Sequence, residues 1–336
     1  MKKIQRIKHL VELLNRASDT YYNTGYPIME DGEFDKLIDE LKALEKETKF
    51  IMSTSPTQNV GYEVKTSLQK VEHNHPMLSL DKTKDINDII KFLGNRRGVV
   101  MAKMDGLTCS LRYVNGKLVS AETRGNGRIG EDILHCAKTI KNLPLTIECL
   151  DEVIVDGEVI ITYDDFEKIN STLPEDKKYK NPRNLASGSI RQLDSNIAAQ
   201  RNMKFIAWKL VKGWMTYSNT PPMDKNSFID RLALLDRLGF DIVTTVEISP
   251  DIMLEYAIPR NIDFIKRACK EAGFPIDGCV FGYDDIAYGE SLGATEHHLN
   301  SQVAFKFKDD VYETVLRNVI WDVGRSGIIS PVAVFD

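Results

Sequence analysis

Val99-Val100-Met101-Ala102-Lys103-Met104-Asp105-Gly106-Leu107-Thr108-Cys109-Ser110-Leu111 runs an apolar segment into a lone lysine, then an aspartate two residues on, a glycine and a second strand-like segment. A cation at the end of a buried strand is costly unless it has a partner or chemical work. Strand alternation puts Lys103 and Asp105 on one face, so the carboxylate can orient the amine. A partly desolvated lysine gives up its proton more readily and becomes a nucleophile at neutral pH. Taken alone, the four residues Lys103-Met104-Asp105-Gly106 read more simply as an edge-strand lysine beside an aspartate, because short motifs are weak signals. The rest of the chain decides between the two readings.

A length of 336 residues suggests about two domains. The composition, 42% hydrophobic and 28% charged, is that of a soluble globular protein with ample material for a core. No apolar run approaches the ~20 residues of a membrane span, and the basic start Met1-Lys2-Lys3-Ile4-Gln5-Arg6-Ile7-Lys8 has no apolar stretch of a secretory signal. A net charge of −5 argues against a whole-protein basic footprint for nucleic acid and leaves room for a local basic face. Cys109, Cys136, Cys149, Cys269 and Cys279 are odd in number and irregularly spaced, with no C-x-x-C pair. That is no disulfide framework and argues against a structural zinc site, and reduced thiols predict a cytoplasmic protein. His73 and His75 lack a third ligand at metal-binding spacing.

Hydrophobic periodicity predicts two N-terminal helices, one carrying Ile4, Ile7, Val11 and Leu14, the other beginning at Asp31 and carrying Phe34, Leu37, Ile38, Leu41 and Leu44. Tyr21-Tyr22-Asn23-Thr24-Gly25-Tyr26-Pro27 reads as the turn between them. A unit of about fifty residues is too small to stand alone, so it should dock on the larger domain or on a ligand. A Ser/Thr/Pro/Asn linker, Ser53 to Gly61, follows, and a short helix over Asp85 to Leu93 precedes the lysine strand. Asn115-Gly116 between two alternating runs predicts a hairpin. Further strands are expected over Glu152–Ile161, Met203–Val211, Cys279–Tyr283 and Gln302–Phe307, and helices over Tyr163–Ile169, Ser227–Leu238 and Asn261–Ala272. Hairpins mixed with separate helices predict an α+β fold with antiparallel sheets. The tail, Trp321 to Phe335, reads as two strands with a turn, which cannot make a stable sheet alone.

Several further blocks suit nucleotide chemistry. Thr123-Arg124-Gly125-Asn126-Gly127-Arg128 is glycine-rich with two arginines, a composition that lets amides and guanidinium groups approach phosphates, and equally that of a plain surface turn. Glu158 in Asp156-Gly157-Glu158 sits in an apolar run, as a ligand for a metal or ribose hydroxyl or as half of a structural ion pair. Arg183 and Arg191, eight apart, fall near one face of a helix, which suits a phosphate backbone or a solvated face. Trp208 reads as a base-stacking ring or as core. Phe305-Lys306-Phe307-Lys308 puts a second lysine at the end of a late strand.

These blocks, in this order, resemble the NAD-dependent DNA ligases of bacteria and their viruses, over essentially the whole chain. The most specific segment is Tyr21-Tyr22…Pro27…Asp31-Gly32-Glu33-Phe34-Asp35, which resembles the domain that captures the nicotinamide mononucleotide half of NAD. Ser55-Pro56-Thr57-Gln58-Asn59-Val60-Gly61 and Pro76-Met77-Leu78-Ser79-Leu80-Asp81 also match the family. The resemblance implies a helical NAD-binding domain over 1–65, an ATP-grasp-like nucleotidyltransferase (adenylation) domain over 66–312, and over 313–336 a linker with the first strands of an incomplete oligonucleotide-binding barrel. It implies Lys103 as the nucleophile that takes AMP from NAD, Asp105 orienting the lysine and the ribose, and Lys306 stabilising the α-phosphate. Arg124, Arg183 and Arg191 would hold phosphates, and Glu158 would serve ribose or Mg²⁺. Ser79, Leu80 and Trp208 would line the adenylate site, while Tyr21, Tyr22, Asp31, Phe34 and Asp35 would contact the mononucleotide. NAD and Mg²⁺ are the implied cofactors and nicked duplex DNA the implied partner, with further domains or a partner chain needed for efficient sealing. The alternatives are an impaired NAD- or adenylate-binding module and an ATP- or GTP-using RNA-end nucleotidyltransferase. Met101 and Gly282 motivate the first, standing where the family has a glutamate and a lysine; Phe34 for a tyrosine and Asn126 for an aspartate are milder departures. The tyrosine-rich N-terminal segment argues against the second.

Overall fold

The structure, a computed structural model, describes residues 2–24, 28–48, 50, 52, 55–57, 68–215, 223–295, 298–307, 313–323 and 329–335. Helices α1 (Lys2–Thr24) and α2 (Asp31–Thr48) pack on each other. Their contact is a small core of Ile7, Leu10, Val11, Leu14 and Leu41, rimmed by Phe34, Leu37 and Ile38, the spacing of an amphipathic stripe. The Arg6 guanidinium donates to both carboxylate oxygens of Glu40 at 2.7 and 2.8 Å, fastening the pair from outside. The turn expected from Tyr21 starts later. With no glycine or proline before Gly25, nothing interrupts α1, which continues through Tyr21 and Tyr22 to Thr24. Gly25, Tyr26 and Pro27 lie outside the described residues, as does most of the Ser53–Gly61 linker.

The larger part contains β1 (Lys70–Glu72), β2 (Ser79–Thr83), α3 (Ile86–Leu93), β3 (Gly98–Met104), β4 (Leu107–Val114), β5 (Lys117–Thr123), β6 (Ile129–Glu131), α4 (Leu134–Ala137), β7 (Val153–Ile160), α5 (Tyr163–Ser171), α6 (Pro182–Ile190), α7 (Ser195–Ala199), β8 (Lys204–Lys212), α8 (Phe228–Arg237), β9 (Thr245–Ile248), α9 (Leu254–Glu271), β10 (Ile276–Tyr283), α10 (Ile286–Ser291) and β11 (His298–Lys306). Two sheets carry the architecture, in the orders β2-β11-β10-β3-β9 and β5-β4-β7-β8. Pairing is antiparallel as expected, except that β2 runs parallel to β11. Asn115 and Gly116 both take positive φ, 49° and 74°, and close the β4–β5 hairpin as the sequence predicts. α9 begins at Leu254, seven residues before the expected Asn261, with Pro259 inside it. A proline reads as a breaker, but Pro259, the sixth residue of α9, costs the helix one hydrogen bond, to the Glu255 carbonyl, and the helix runs through it. Strands β12 (Leu316–Val323) and β13 (Ile329–Phe335) form an antiparallel ribbon in which Trp321 faces Pro331. Together they leave Leu316, Ile320, Trp321 and Phe335 exposed.

The Lys103-Met104-Asp105-Gly106 segment is where the chain crosses between sheets: β3 belongs to the five-stranded one and β4 to the four-stranded one. Asp105 N–H donates to the Pro275 carbonyl at 2.9 Å, fixing the crossing. A Cβ on Gly106 would stand 2.2 Å from the Val159 carbonyl oxygen, so no side chain fits. α9 packs against β3 and β10 on one side of the five-stranded sheet. By alternation, the side chains on the other side face the cleft between the sheets.

Gly106→Ala should destabilise the protein by about 1–3 kcal/mol, the usual cost of overpacking a closed site. Chemical denaturation of the two forms measures this, and an unchanged midpoint would contradict the tight crossing.

Candidate active site

Register fixes the floor of the cleft. Across β11, β10 and β3, Lys306 lies beside Gly278 and Lys103, Ala304 beside Val280 and Met101, and Gln302 beside Gly282 and Val99. On the edge strand β2, Lys82 lies opposite Ala304. The floor therefore has a cationic end and an apolar end. Val99, Met101 and Val280 are buried. A side chain on Gly282 would meet Gln302 Cγ at 3.2 Å, so the neighbouring strand occupies that space.

At the cationic end, charges alternate in a line. Lys103 Nζ is 2.9 Å from Asp277 Oδ1, and Asp277 Oδ2 is 2.9 Å from Lys306 Nζ. Lys306 Nζ is also 2.9 Å from Asp35 Oδ2, and Asp35 Oδ1 is 2.6 Å from Lys82 Nζ. Asp35 comes from α2, so the helical unit contributes directly to this centre. Burial pushes the Asp277 carboxyl up, but Lys103 and Lys306 outweigh it and hold the group below the usual range. Asp35 behaves likewise: burial opposes ionisation, yet Lys82 and Lys306 bring it to about 2. Lys306, despite burial that disfavours its charge, is raised above the ordinary lysine range by Asp277 and Asp35.

Asp105 was expected to orient Lys103; the structure puts a second carboxylate against the lysine. Lys103 is held by Asp277, 174 residues away in sequence, while Asp105 pairs with Arg183 Nη1 at 3.3 Å. β3 ends at Met104, so strand alternation does not extend to Asp105. Sequence reasoning did not single out Asp277 or Lys82 as site residues. The signal for Asp277 was there: Asp-Gly at the end of a strand, as in the lysine segment itself.

Glu158 stands on β7 beside Thr108, whose hydroxyl donates to it at 3.0 Å. Burial dominates its ionisation and pushes the carboxyl up to about 7, against the pull of Lys103, Thr108, Arg183 and Arg124. Arg183 sits in the first turn of α6, capped by Asn181, whose side-chain oxygen accepts from Asn184 N–H at 2.8 Å. Arg191 ends that helix and pairs with buried Glu131 at 2.8 Å. The two arginines thus engage carboxylates on separate elements. Arg124 is half-buried, and its carbonyl accepts from His73 Nε2 at 2.8 Å. His73 Nδ1 lies 3.3 Å from Glu122, and His75 Nε2 lies 2.8 Å from Asp156, so both histidines have carboxylate partners. Among the described residues no group of three His, Cys, Asp or Glu side chains is arranged to hold a metal ion. Trp208 is half-buried on β8 and packs against the main core. Ser79 and Leu80 open β2, both half-buried. Phe34 packs on the helical core. Tyr21 and Tyr22 lie in the last turn of α1 and Asp31 starts α2; their side chains lie outside the described residues. All five cysteines are buried and unbridged. No helix among the described residues is long and apolar enough to cross a membrane.

Two sheets joined at a lysine-ended crossing, with Asp35 of a helical unit in the same charge cluster, make up the site. The profile of the NAD-dependent DNA ligase adenylation domain matches residues 65–310, and that of the DNA ligase-like N-terminal NAD+-binding domain matches residues 1–61. The chain belongs to the NAD-dependent DNA ligase family. It is 44% identical over 339 residues to a DNA ligase of Lachnoclostridium phytofermentans, covering 99% of this chain and 50% of that protein. A DNA ligase of Ruminiclostridium cellulolyticum is 43% identical over 335 residues, covering 99% and 49%. The chain thus spans about half the length of the curated relatives it matches.

Glu158 gives a signed pH dependence. Its folded-state value of about 7 exceeds the unfolded value, so the folded protein binds the extra proton between the two. Its contribution is therefore present at low pH and lost as pH rises through about 7. Relative to Glu158→Gln, the parent should lose roughly 3 kcal/mol at most between pH 4.5 and 8, by 1.36 kcal/mol per unit. Urea unfolding of both proteins across that range tests it; parallel profiles would refute it.

Proposed function

We propose that this chain carries out the first step of NAD-dependent DNA ligation, transfer of AMP from NAD to Lys103 with release of nicotinamide mononucleotide. The observation that carries the reading is the Lys103–Asp277–Lys306 cluster at the cationic end of the cleft. Phosphoryl transfer asks a protein mainly to position groups and neutralise charge, and a strand-end lysine held by a shared carboxylate beside a second lysine meets both needs. Lys103 attacks the α-phosphorus as the neutral amine, Lys306 faces the negative charge on the phosphoryl oxygens, and Arg183 reaches the same face from α6. Asp105 positions Arg183. The apolar floor of Met101 and Val280 suits a purine, with Trp208 as its stacking partner and Ser79 and Leu80 at the edge. Tyr21, Tyr22, Asp31, Phe34 and Asp35 supply the mononucleotide side, and Arg124, just after β5, and Arg191, at the end of α6, support the phosphate end.

Glu158 fits Mg²⁺ as a single buried carboxylate in the manner of sites where the ion keeps water and substrate phosphate as its other ligands. Mg²⁺ there would neutralise phosphate charge. Nicked duplex DNA is the substrate of the later steps, in which AMP passes to a 5′-phosphate and a 3′-hydroxyl closes the strand.

Incubation with Mg²⁺ and NAD should add one AMP to the intact mass, and ATP should not. Lys103→Ala should gain nothing under the same conditions; retention of AMP uptake by that variant would sink the assignment. Removing the helical unit before residue 53 should stop uptake from NAD, and undiminished reaction would dissociate that unit from the mononucleotide.

A further inference from the structure

We propose that Lys82 is a catalytic residue that binds the departing phosphate during adenylyl transfer, an inference that rests on the reading above. Three ammonium groups, Lys103, Lys306 and Lys82, are separated by two carboxylates, Asp277 and Asp35, with each carboxylate shared between two lysines at 2.6–2.9 Å. A dinucleotide's pyrophosphate has the same alternation, two anionic phosphoryl groups joined by one bridging oxygen. Placed along this line, one phosphoryl group lies between Lys103 and Lys306 and the other between Lys306 and Lys82. Backbone register supports the alignment. Lys82 is opposite Ala304, so it shares the cleft face with Lys306 two residues further along β11. The Lys82 side chain is 47% exposed, so it can turn from Asp35 to a ligand.

The order of the line fits the chemistry. In-line displacement puts the nucleophile and the leaving oxygen on opposite sides of phosphorus. Lys103, having given one proton to water, forms the N–P bond. The bond from the α-phosphorus to the bridging oxygen breaks, and its electron pair stays on the mononucleotide's phosphate. The nitrogen's surplus proton passes to water, leaving a phosphoramidate. New negative charge therefore appears on the leaving phosphate, at the end of the line away from Lys103, where Lys82 stands. A lysine meets such charge as a point cation.

Lys82→Met keeps the stem and removes the charge. Single-turnover AMP uptake from NAD, followed by intact mass, should fall about ten- to a hundredfold, the range for a charge-assisted bond. The reverse reaction, removal of AMP from the isolated adenylylated chain by nicotinamide mononucleotide, should fall by a similar factor, and Lys82→Arg should restore most of both. The same substitution in an Asp35→Ala background separates a direct role from one acting through Asp35. A further loss of about tenfold or more is expected there if Lys82 meets the phosphate itself. Unchanged rates in Lys82→Met, or no added loss in the Asp35→Ala background, would overturn the proposal. Absence of AMP uptake by the unmodified chain would instead overturn the adenylyl-transfer reading beneath it.

Discussion

One carboxylate, Asp277, sits between two lysines that would otherwise repel each other. Lys103 and Lys306 arise on strands flanking β10, and both project into the same end of the cleft. Two ammonium groups that close in a partly buried place are tolerable only with an anion between them. Asp277 supplies that anion from the strand between them, and Gly278 beside it lets the β11 backbone approach closely: a Cβ there would lie 2.3 Å from the Phe305 carbonyl oxygen. Breaking such a pair by removing one partner leaves an uncompensated charge, which costs far more than the pair contributes. The close placing of Lys103 and Lys306 at one end of the sheet therefore depends on this one carboxylate.

The same logic extends to the helical unit. Among the described residues its own core is five buried side chains, few for a fold of this length. Asp35 ties it to Lys306 and Lys82 of the larger part, and Glu30 approaches Lys180 at 3.9 Å. The Asp35 link is the more consequential, because it lies on the line of charges that reaches Lys103. An exposed ion pair contributes little, but Asp35 is about three-quarters covered and paired on both oxygens. Docking of the unit and charge balance at the site are thus the same event.

Much of this was legible in the sequence wherever local signals suffice. Asn115-Gly116 fixed a hairpin, amphipathic spacing gave α1 and α2, and the isolated lysines after apolar runs marked Lys103 and Lys306. What failed was long-range or boundary-dependent. The Lys103–Asp277 contact spans 174 residues, and only the sheet order brings the two together. Asp105 was assigned to Lys103 by extending strand alternation one residue beyond the strand, where the chain is already turning into the other sheet. The tyrosine turn was placed too early because aromatic and polar residues read as loop, although each is compatible with a helix. Pro259 hid the start of α9. Lys82 gave no signal at all, since a lysine in a short polar edge strand looks like solvent-facing charge until its partner is known.

The departures from the family pattern at Met101 and Gly282 look different once the strands are paired. Read along the chain, they are two separate losses of charged groups. In the sheet they occupy the same stretch of floor, with Val280 opposite Met101 and Gly282 opposite Val99. A lone charge kept at either place would be buried among apolar side chains with no partner from the facing strand, and its desolvation would go uncompensated. Without either charge the stretch is apolar at Val99, Met101 and Val280, and neutral at Gly282, where the Gln302 side chain is the neighbour. Such a surface favours a planar ring by contact area, while the cations that phosphate needs are concentrated at the other end, on Lys103, Lys306 and Lys82. Charge and apolar area are thus segregated along one sheet, as a nucleotide itself is segregated between base and phosphate.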